Sequence, residues 1–346
     1  MSARITIAVD AMGGDRAPAI VLKGAEIALQ RFPNVDFLLF GAEDKVRPLL
    51  ARLPNLSRTA RLCHTSEMVP ADAKPSLALR TARRSSMRLA LDAVAEGRAD
   101  GMVSAGNTGA LMAMAKFVLK TLPGIERPAI ASLFPTGVGE TVVLDLGANV
   151  ECDAANLVQF ALMGDVFART VLGLPAPSVA LLNVGAEDLK GNAAVRSAAA
   201  ELRTGLVPVQ FYGFVEGDDI PRGTVDVVVT DGFTGNVALK MAEGTARLFG
   251  DFLESAFRHS LLARIGYLFA RGALKKLRLR LDPRRYNGAI FLGLAGIAVK
   301  SHGSTDALGF ANAIGVAVDM KANGFIDKIC SELARLTQAR PAAQPV

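Results

Sequence analysis

Two glycine-rich turns in the chain carry groups suited to holding an anion. They read Gly106-Asn107-Thr108-Gly109 and Gly232-Phe233-Thr234-Gly235, so both follow the pattern Gly-x-Thr-Gly. In each, a short apolar run ends at the turn and a helical pattern begins, which is typical of a strand–helix unit. Glycine lets a ligand approach the backbone closely, and the free N–H groups of a helix N-terminus favour negative charge. The turns predict an anion cradle, or simply tight strand-to-helix turns capped by threonine.

The two turns also align with each other. At a shift of 126 residues (226 − 100), Asp100 matches Asp226 without a gap, and a valine, a Ser/Thr position and both glycines match as well. The match predicts that one local structure has been built twice. It also predicts that both copies line one anion site.

Further polar residues follow the first predicted strand. This strand, Ile5–Asp10, ends at a carboxylate, and Gly13, Gly14 and Asp15 come shortly after it. A dinucleotide-binding enzyme would carry Gly-x-Gly-x-x-Gly here, but the Asp15 carboxylate stands where a pyrophosphate would lie. The sequence therefore disfavours a nicotinamide cofactor. Asp10 and Asp15 could position a substrate or hydrogen-bond the turn, and both roles stay open.

Three other strand ends carry candidate ligands for a phosphate or a carbonyl oxygen. Asn149 follows the predicted strand Thr141–Asp145, and Lys190 and Asn192 follow the next predicted strand. His302 stands between a strand and the opening of a helix. Lys190 and Asn192 could bind substrate or belong to an ordinary surface loop. His302 could be catalytic or could be a structural hydrogen-bonding residue.

Alternating strand and helix patterns position these residues. They predict an α/β fold with three layers, α/β/α, around a mostly parallel central sheet. We expect a single catalytic domain over residues 1–338 and a flexible tail over residues 339–346. One predicted helix carries Arg80, Arg84 and Arg88 at four-residue steps, so three cations would project from one face, into solvent or toward an anion.

Composition limits the class of protein. Of the 346 residues, 51% are hydrophobic and 6% aromatic, which favours helices packed on a sheet over an all-β sandwich. Neither a signal peptide nor an apolar stretch long enough to span a membrane is evident, so we expect a soluble cytoplasmic protein. Cys63, Cys152 and Cys330 are scattered and predict no metal site. The net charge of +6 indicates an anionic partner, and without interleaved aromatic residues it does not favour nucleic acid.

A basic segment interrupts the alternation between about residues 246 and 285. From Arg258 to Arg285 it holds nine cations and one acid, Asp282, and its apolar residues recur at three- and four-residue steps. This pattern predicts a basic amphipathic helical hairpin, with Gly266 and Gly272 loosening its first helix or marking the bend. The hairpin could contact an anionic membrane, an acidic carrier protein or the mate in a dimer.

Several strings in one order make the chain similar to a known family. They are Asp-Ala-Met-Gly-Gly-Asp at 10–15, Lys-Pro-Ser at 74–76, Val-Ser-Ala-Gly-Asn-Thr-Gly at 103–109, Leu-Asp-Leu-Gly-Ala-Asn at 144–149, Lys-Gly-Asn at 190–192, Asp-Gly-Phe-Thr-Gly-Asn at 231–236 and Lys-Ser-His-Gly-Ser at 300–304. Over about residues 5 to 325 the chain resembles the phosphate acyltransferase family of bacterial phospholipid synthesis.

The resemblance implies a fold, a reaction and partners. The implied protein is a homodimer with a fold akin to the isocitrate and isopropylmalate dehydrogenases. The implied reaction transfers a fatty acyl group from a thioester on acyl carrier protein to inorganic phosphate, which gives the acyl donor for glycerol-3-phosphate acylation. Peripheral association with the membrane is implied as well.

Acyl transfer to phosphate fits the residue types present. Phosphate is already an oxygen nucleophile, so the reaction needs no G-x-S-x-G elbow, and the sequence has none. It needs a held anion and donors for the developing oxyanion, and we expect no cofactor. We expect Lys190 and Asn236 to contact the phosphate or the carbonyl oxygen and His302 to act as an acid. The expected substrate-binding residues, all at strand ends or glycine turns, are Asp10, Gly13, Gly14, Asp15, Gly106, Asn107, Thr108, Gly109, Asn149, Asn192, Asp231, Gly232, Thr234 and Gly235.

Two other classes of function stay open. A dinucleotide-dependent dehydrogenase would share the fold, but its glycine fingerprint is missing. A non-enzymatic scaffold for a carrier protein or a membrane would use the basic segment alone. That scaffold would leave the glycine, asparagine and lysine residues at the strand ends without a purpose.

Overall fold

The computed structural model of the chain describes residues 4–280 and 288–339. Its strands are β1 (Ile5–Asp10), β2 (Val35–Gly41), β3 (Ala60–His64), β4 (Gly101–Ser104), β5 (Ala129–Pro135), β6 (Glu140–Leu144), β7 (Ser178–Leu182), β8 (Gln210–Val215), β9 (Val227–Val229), β10 (Ala289–Leu292) and β11 (Ile297–Lys300). Its helices are α1 (Ala19–Arg31), α2 (Glu43–Leu50), α3 (Pro54–Thr59), α4 (Pro75–Thr81), α5 (Ser86–Ala95), α6 (Thr108–Leu119), α7 (Ala154–Val171), α8 (Ala193–Arg203), α9 (Asp219–Arg222), α10 (Gly232–Arg258), α11 (Leu261–Arg280), α12 (Ala307–Ala322) and α13 (Phe325–Ala339).

These strands form one sheet in the order β3-β2-β1-β4-β11-β10-β5-β6-β9-β7-β8. Neighbours are parallel from β3 to β11 and again from β6 to β8, while β10 and β5 make the antiparallel pairs in between. The prediction of a mostly parallel sheet is confirmed. Because three antiparallel pairings separate β4 from β9, the carboxyl ends of these two strands point in opposite directions along the sheet.

Two apolar cores cover the two faces of the sheet. Successive side chains of a strand point to opposite faces, and in β1 Ile7 and Val9 belong to one core while Ala8 belongs to the other. Helices α1, α7, α8, α12 and α13 contribute to the first core, and α4, α5 and α6 to the second. Two helical layers on one sheet confirm the predicted three-layer α/β/α fold.

The three arginines predicted to share one helix face lie on different elements. Arg80 is in α4, Arg88 is in α5, and Arg84 lies in the connection between the two helices. The side chain of Ser85 accepts a hydrogen bond from the backbone N–H of Arg88 at 3.3 Å and so caps a new helix. The prediction of a single cationic helix face is therefore wrong.

The basic segment forms the two helices α10 and α11. Helix α10 starts at the second glycine turn and continues without interruption to Arg258, and α11 begins three residues later, where the Ser260 hydroxyl accepts a hydrogen bond from the N–H of Ala263 at 3.0 Å. Gly266 and Gly272 lie inside α11, so the prediction that either marks the bend is wrong. Residues 281–287 of the predicted segment and residues 340–346 of the predicted tail lie outside the described residues.

Candidate functional site

One group of candidate residues forms where β1, β4 and β11 end side by side. These strands are parallel neighbours, with Val9 opposite Val103 and Ser104 opposite Lys300. Their carboxyl ends therefore meet at the same edge of the sheet, where parallel α/β proteins usually bind ligands. We call Asp10, Gly13, Gly14, Asp15, Ser104, Gly106, Lys300 and His302 the first group.

Asp10 organises this edge from inside the protein. Its Oδ1 accepts hydrogen bonds from the Ser86 hydroxyl at 2.6 Å and the Met12 N–H at 3.2 Å, and its Oδ2 accepts one from the Ser104 hydroxyl at 2.6 Å. The side chain is buried, and this burial raises its pKa. Asp10 therefore has a structural role, because it ties together the turn after β1, the end of β4 and the start of α5. That it also positions a substrate stays a prediction.

The glycines of the first group let backbone segments approach one another. A Cβ atom at Gly13 would lie 2.7 Å from the Gly106 nitrogen, and one at Gly106 would lie 2.6 Å from the Met87 Cε. Gly14 has a φ of +105°, a conformation that other residues rarely adopt. A small pocket of about 10 Å³ opens beside these glycines, and Arg16 lies in its wall.

Lys300 is a buried cation that is not among the site residues expected from the sequence. Its ammonium donates a hydrogen bond to the carbonyl oxygen of Ser301, and its Nζ lies 3.5 Å from the carbonyl oxygen of Ala105. Burial lowers its pKa to about 8, although the carboxylates of Asp10 and Asp15 act in the opposite direction. A lysine that ends the otherwise apolar strand β11 was the available signal in the sequence.

His302 lies on the exposed side of the first group. Its Nδ1 accepts a hydrogen bond from the Ser304 N–H at 3.3 Å and lies 2.9 Å from the Ser304 hydroxyl oxygen, so in the neutral ring the proton is on Nε2. Desolvation is the main cause that lowers the pKa of His302, and the Lys300 cation lowers this pKa further. Asp15 is also exposed, and its N–H donates to the carbonyl oxygen of Gly303 at 3.0 Å. The loop that holds His302 lies between β11 and α12, as expected, and the cap of α12 is Asp306.

The first Gly-x-Thr-Gly turn is capped by asparagine and not by threonine. The Asn107 Oδ1 accepts a hydrogen bond from the Ala110 N–H at 2.9 Å, which leaves Thr108 as the first residue of α6. The Asn107 Nδ2 donates to the carbonyl oxygens of Ala71 at 2.7 Å and Ala73 at 3.1 Å. A Cβ atom at Gly109 would lie 2.7 Å from the Cγ of Pro75. The loop before α4 therefore braces this turn.

A second group of candidate residues surrounds the ends of β6 and β9. The buried Asp145 accepts hydrogen bonds at Oδ1 from the N–H groups of Ile130, Gly147 and Ala148, at 2.9, 3.2 and 3.0 Å. Its Oδ2 accepts from the backbone N–H and the side-chain amide of Asn149, at 2.7 and 2.9 Å. Burial still raises the Asp145 pKa. The sequence pattern predicts a site role for Asn149 but not for the Asp145 carboxylate that positions it.

The second Gly-x-Thr-Gly turn starts its helix at a different position. The Asp231 carboxylate accepts hydrogen bonds from the Thr234 N–H at 2.9 Å and the Thr234 hydroxyl at 2.8 Å. The cap of α10, Asp231, therefore directly precedes the first glycine of its turn, Gly232. The cap of α6, Asn107, instead directly follows the first glycine of its turn. The hypothesis that one local structure has been built twice is wrong, because the two helices begin at different points of the shared pattern.

Asn236, Asn192 and Lys190 differ in how the protein uses them. The Asn236 amide donates to the carbonyl oxygen of Leu146 at 3.1 Å, and the Asn192 side chain caps α8 by accepting from the Val195 N–H at 2.9 Å. Lys190 is exposed, and its side chain makes no ion pair with any described residue. An open pocket of about 400 Å³ is lined by Val150, Glu151, Cys152, Asn192, Asp231 and Phe233.

Helix α10 connects the two groups. It begins in the second group, and its residues Lys240 and Glu243 act electrostatically on His302 of the first group. The two glycine turns themselves follow strands that point in opposite directions. That both turns line one anion site stays a prediction.

Among residues 4–280 and 288–339, no three histidine, cysteine or acidic side chains are grouped to hold a metal ion.

Comparison with known proteins identifies the family. Residues 5–328 match the family described as "Fatty acid synthesis protein". A phosphate acyltransferase from Rhodospirillum centenum is 65% identical over 343 residues, which cover 99% of this chain and 97% of the relative. A phosphotransacetylase from Streptococcus pyogenes has a TM-score of 0.63 at 19% identity, with 93% of this chain and 95% of that chain covered. A putative 4-hydroxythreonine-4-phosphate dehydrogenase from Salmonella typhimurium has a TM-score of 0.53 at 15% identity, with 91% and 99% covered.

The fold and the strand-end groups define a three-layer α/β/α protein of the architecture that phosphotransacetylases and dehydrogenases of this type share. The nearly full-length match at high identity goes further, since such similarity extends through both groups of candidate residues. The chain belongs to the phosphate acyltransferase family, and it is an acyltransferase enzyme of lipid synthesis. The family resemblance seen in the sequence is confirmed.

Proposed function

We propose that the enzyme makes an acyl phosphate from inorganic phosphate and a fatty acyl thioester on acyl carrier protein, and that the product serves glycerol-3-phosphate acylation. The observation that carries this proposal is the 65% identity to a phosphate acyltransferase over nearly the whole chain. The first group supports it, because a buried cation, Lys300, and backbone turns with glycine lie together at three neighbouring strand ends.

The reaction needs little acid or base chemistry from the protein. An oxygen of phosphate attacks the carbonyl carbon of the thioester, a C–O bond forms, and the C–S bond breaks. The carrier sulfur leaves with the bonding electrons as a thiolate and takes a proton from water. Since a free thiol has a pKa of about 8.5, the thiolate is a good leaving group. The remaining tasks are to hold the phosphate and to stabilise the oxyanion.

His302 suits the second of these tasks better than the acid role expected from the sequence. Its lowered pKa makes the imidazolium form scarce near neutral pH, so the ring is a poor proton donor to sulfur. The neutral ring carries its proton on Nε2, because Nδ1 accepts from Ser304. We assign this Nε2–H as a hydrogen-bond donor to the thioester carbonyl oxygen in the transition state.

Lys300 and Lys190 suit the binding of phosphate. The ammonium group of Lys300 has three N–H donors, and it contacts two backbone carbonyl oxygens. One donor is therefore left for a phosphate oxygen. Lys190 is an exposed cation in the loop that ends at Asn192, which lines the open pocket of the second group. Asn236 stands at the start of α10 and completes the proposed contacts on that side. The other residues expected to bind substrate keep that role as part of the same proposal.

A direct assay of the product tests the proposed reaction. The enzyme is incubated with acyl-acyl carrier protein and radiolabelled phosphate, and the mixture is treated with hydroxylamine. Label in a fatty acyl product that hydroxylamine converts to the hydroxamate is the expected result. Consumption of the thioester without labelled acyl phosphate, or only in the presence of glycerol 3-phosphate, would contradict the proposal.

The exposed helices α10 and α11 supply the proposed contacts with a membrane and with a second copy of the chain. Only Gly232 and Gly235 of α10 are buried, and large apolar side chains such as Phe252, Leu268 and Phe269 are exposed. In the part of the chain that the structure describes, no helix is long and apolar enough to cross a bilayer. We propose a cytoplasmic homodimer whose α10–α11 hairpin lies against an anionic membrane surface through apolar and cationic side chains.

A further inference from the structure

Four cations on the surface around α4 have no partner among the residues that the structure describes. They are Lys74, Arg80, Arg83 and Arg84, which we call the α4 basic surface. All four are exposed, and none of their side chains makes an ion pair or hydrogen bond with a described residue. Between residues 73 and 91 the sequence contains no acid. No ion pair with a described residue therefore relieves their mutual repulsion, which favours a negatively charged partner.

Most other arginines near the first group are compensated. Arg88, at the start of α5, pairs with Asp92 at 2.8 Å and stacks 5.5 Å above the ring of Phe117. Arg16 donates to the backbone carbonyl oxygens of Ser304 and Thr305 at 3.3 and 2.8 Å. The cations of the α4 basic surface differ from these arginines because no described residue pairs with them.

Exposed apolar side chains accompany these cations. Leu77 of α4 is 56% exposed, Met68 of the preceding loop is 46% exposed, and Phe117 of the adjoining helix α6 is 62% exposed. Arginine, methionine and aromatic residues are enriched where proteins bind one another. The combination of unpaired arginines and exposed apolar side chains is therefore that of a protein-binding surface.

The same surface is attached directly to the first group. Asn107, which caps the helix of the first glycine turn, holds the loop before Lys74 through hydrogen bonds to Ala71 and Ala73. The next residue after Lys74, Pro75, packs against Gly109 of that turn. Beyond Arg84, the side chain of Ser86 donates to Asp10. A partner on the α4 basic surface therefore lies beside the turn at which acyl transfer is proposed.

We infer that the α4 basic surface docks the acidic carrier protein that presents the acyl thioester. This inference rests on the proposed function. A carrier bound there would have its acyl group next to the first glycine turn, and its acidic side chains would neutralise the four cations. A flat bilayer on the same surface would instead cover the approach to that turn. Charge and position therefore both favour a protein partner that carries the substrate.

The inference is tested with the full-length variant Arg80→Glu/Arg83→Glu/Arg84→Glu. Two substrates are compared: acyl-acyl carrier protein and an uncharged acyl thioester of N-acetylcysteamine, which lacks the carrier. We expect KM for the carrier substrate to rise about tenfold or more and its salt dependence to weaken, with turnover of the small thioester unchanged. Binding of the carrier protein, followed by fluorescence anisotropy, should weaken in parallel.

The matched control is Arg258→Glu/Arg264→Glu/Arg271→Glu, which makes the same charge change on α10 and α11. This control should leave KM for the carrier and carrier binding unchanged. The inference is overturned if the control raises KM for the carrier while the α4 variant does not, or if the α4 variant loses only its binding to anionic vesicles. A wild-type enzyme that forms no acyl phosphate from either thioester would instead refute the proposed function.

Discussion

The carbonyl oxygen of Asp145 occupies the space in which a side chain at Gly235 would stand. The second glycine turn is therefore packed against the loop that follows β6. In the first turn, Pro75 fills the corresponding space beside Gly109. Gly109 and Gly235 were expected to leave space for a ligand, but the space beside each is filled by another part of the protein. What such turns can still offer a ligand is their backbone N–H groups and the field of the helix N-terminus.

Substitution at Gly235 should therefore damage the fold before it damages binding. We expect Gly235→Ala to lower the free energy of unfolding by about 1–3 kcal/mol, since the added methyl group overlaps a backbone atom. Gly244→Ala in the same helix is the control, because nothing lies within 4 Å of a Cβ atom there. It should stabilise the protein by up to about 1 kcal/mol. Urea denaturation of both variants checks this, and equal stability of the two would refute the packing role.

Asn107 allows the structural and the anion-binding roles of the first turn to be separated. Asn107→Ala removes the helix cap and should cost about 0.5–2 kcal/mol of stability. Asn107→Asp keeps an oxygen for the Ala110 N–H but adds a negative charge. Because its carboxylate also replaces the Nδ2 donor to the carbonyl oxygens of Ala71 and Ala73, the Asp variant should be no more stable than the Ala variant. If phosphate binds at this turn, the added charge should also raise KM for phosphate about tenfold above that of the Ala variant. Similar KM values for phosphate in the two variants would place phosphate elsewhere.

The buried Lys300 should make stability depend on pH. Its pKa is lowered from 10.5 to about 8, so between these pH values the unfolded chain holds a proton that the folded chain lacks, and stability rises with pH. Below pH 8 both states are charged and the folded state bears the full cost of burial. We expect Lys300→Met to be more stable than the wild type there, by up to roughly 3 kcal/mol, and this difference to vanish above pH 10.5.

The same variant should lose activity. We expect Lys300→Met to reduce turnover by roughly a hundredfold, because the proposed phosphate-binding cation is removed. Lys116→Met, an exposed lysine on α6, is the control and should change neither turnover nor the pH dependence of stability. Full turnover in Lys300→Met would remove Lys300 from the site, and a stability difference that does not change with pH would refute its buried charge.

The cysteines should be dispensable together. Burial, together with the Asp145 carboxylate, raises the pKa of Cys152 to about 11, and burial also raises the pKa of Cys330, so both stay protonated and are weak nucleophiles. The variant Cys63→Ala/Cys152→Ala/Cys330→Ala should keep turnover within about threefold of the wild type. Acid quenching followed by mass spectrometry of the intact protein should reveal no added acyl group. A trapped acyl-enzyme would show that direct transfer to phosphate is wrong.

The hairpin of α10 and α11 should govern membrane binding. Leu268 and Phe269 are 65% and 87% exposed. We expect Leu268→Glu/Phe269→Glu to release the protein from anionic vesicles while turnover on soluble substrates is kept, since each cation adds only about 1 kcal/mol of attraction. Co-sedimentation with vesicles and analytical ultracentrifugation check this. Membrane binding that is unchanged in the variant, or insensitive to salt in the wild type, would contradict the proposal, and a change from dimer to monomer would assign these residues to the dimer contact.

Local patterns made the layered fold predictable from the sequence, whereas the contacts inside the site depend on distant segments. The apolar runs of β1, β6 and β11 and the helical periodicities between strands act over a few residues. Asp10, in contrast, receives its hydrogen bonds from residues 76 and 94 positions away. The burial of Lys300 depends on β4 and on the turn after β1 in the same way. No spacing rule connects such residues, so their roles emerge only from the strand order.

The two glycine turns show the same limit at short range. Their aligned letters predicted one structure, but the residue that caps the helix differs, Asn107 in one and Asp231 in the other. The elements α8, β8 and α9, which lie between residues 193 and 222, were not predicted. Arg80 and Arg88 were assigned to one helix because their spacing fits one, although Ser85 starts a new helix between them.

Helix α10 fixes the direction in which α11 and its apolar side chains face, relative to the rest of the enzyme. It is one uninterrupted rod of 27 residues that starts at the Asp231 cap, passes His302 and ends at the bend before α11. Each residue of an α-helix turns the chain by about 100° and advances it by about 1.5 Å. A single residue inserted in α10 would therefore swing Leu268 and Phe269 about a quarter of the way around the helix axis. Changes of about seven or about eleven residues, close to two or three full turns, would preserve the direction of the hairpin.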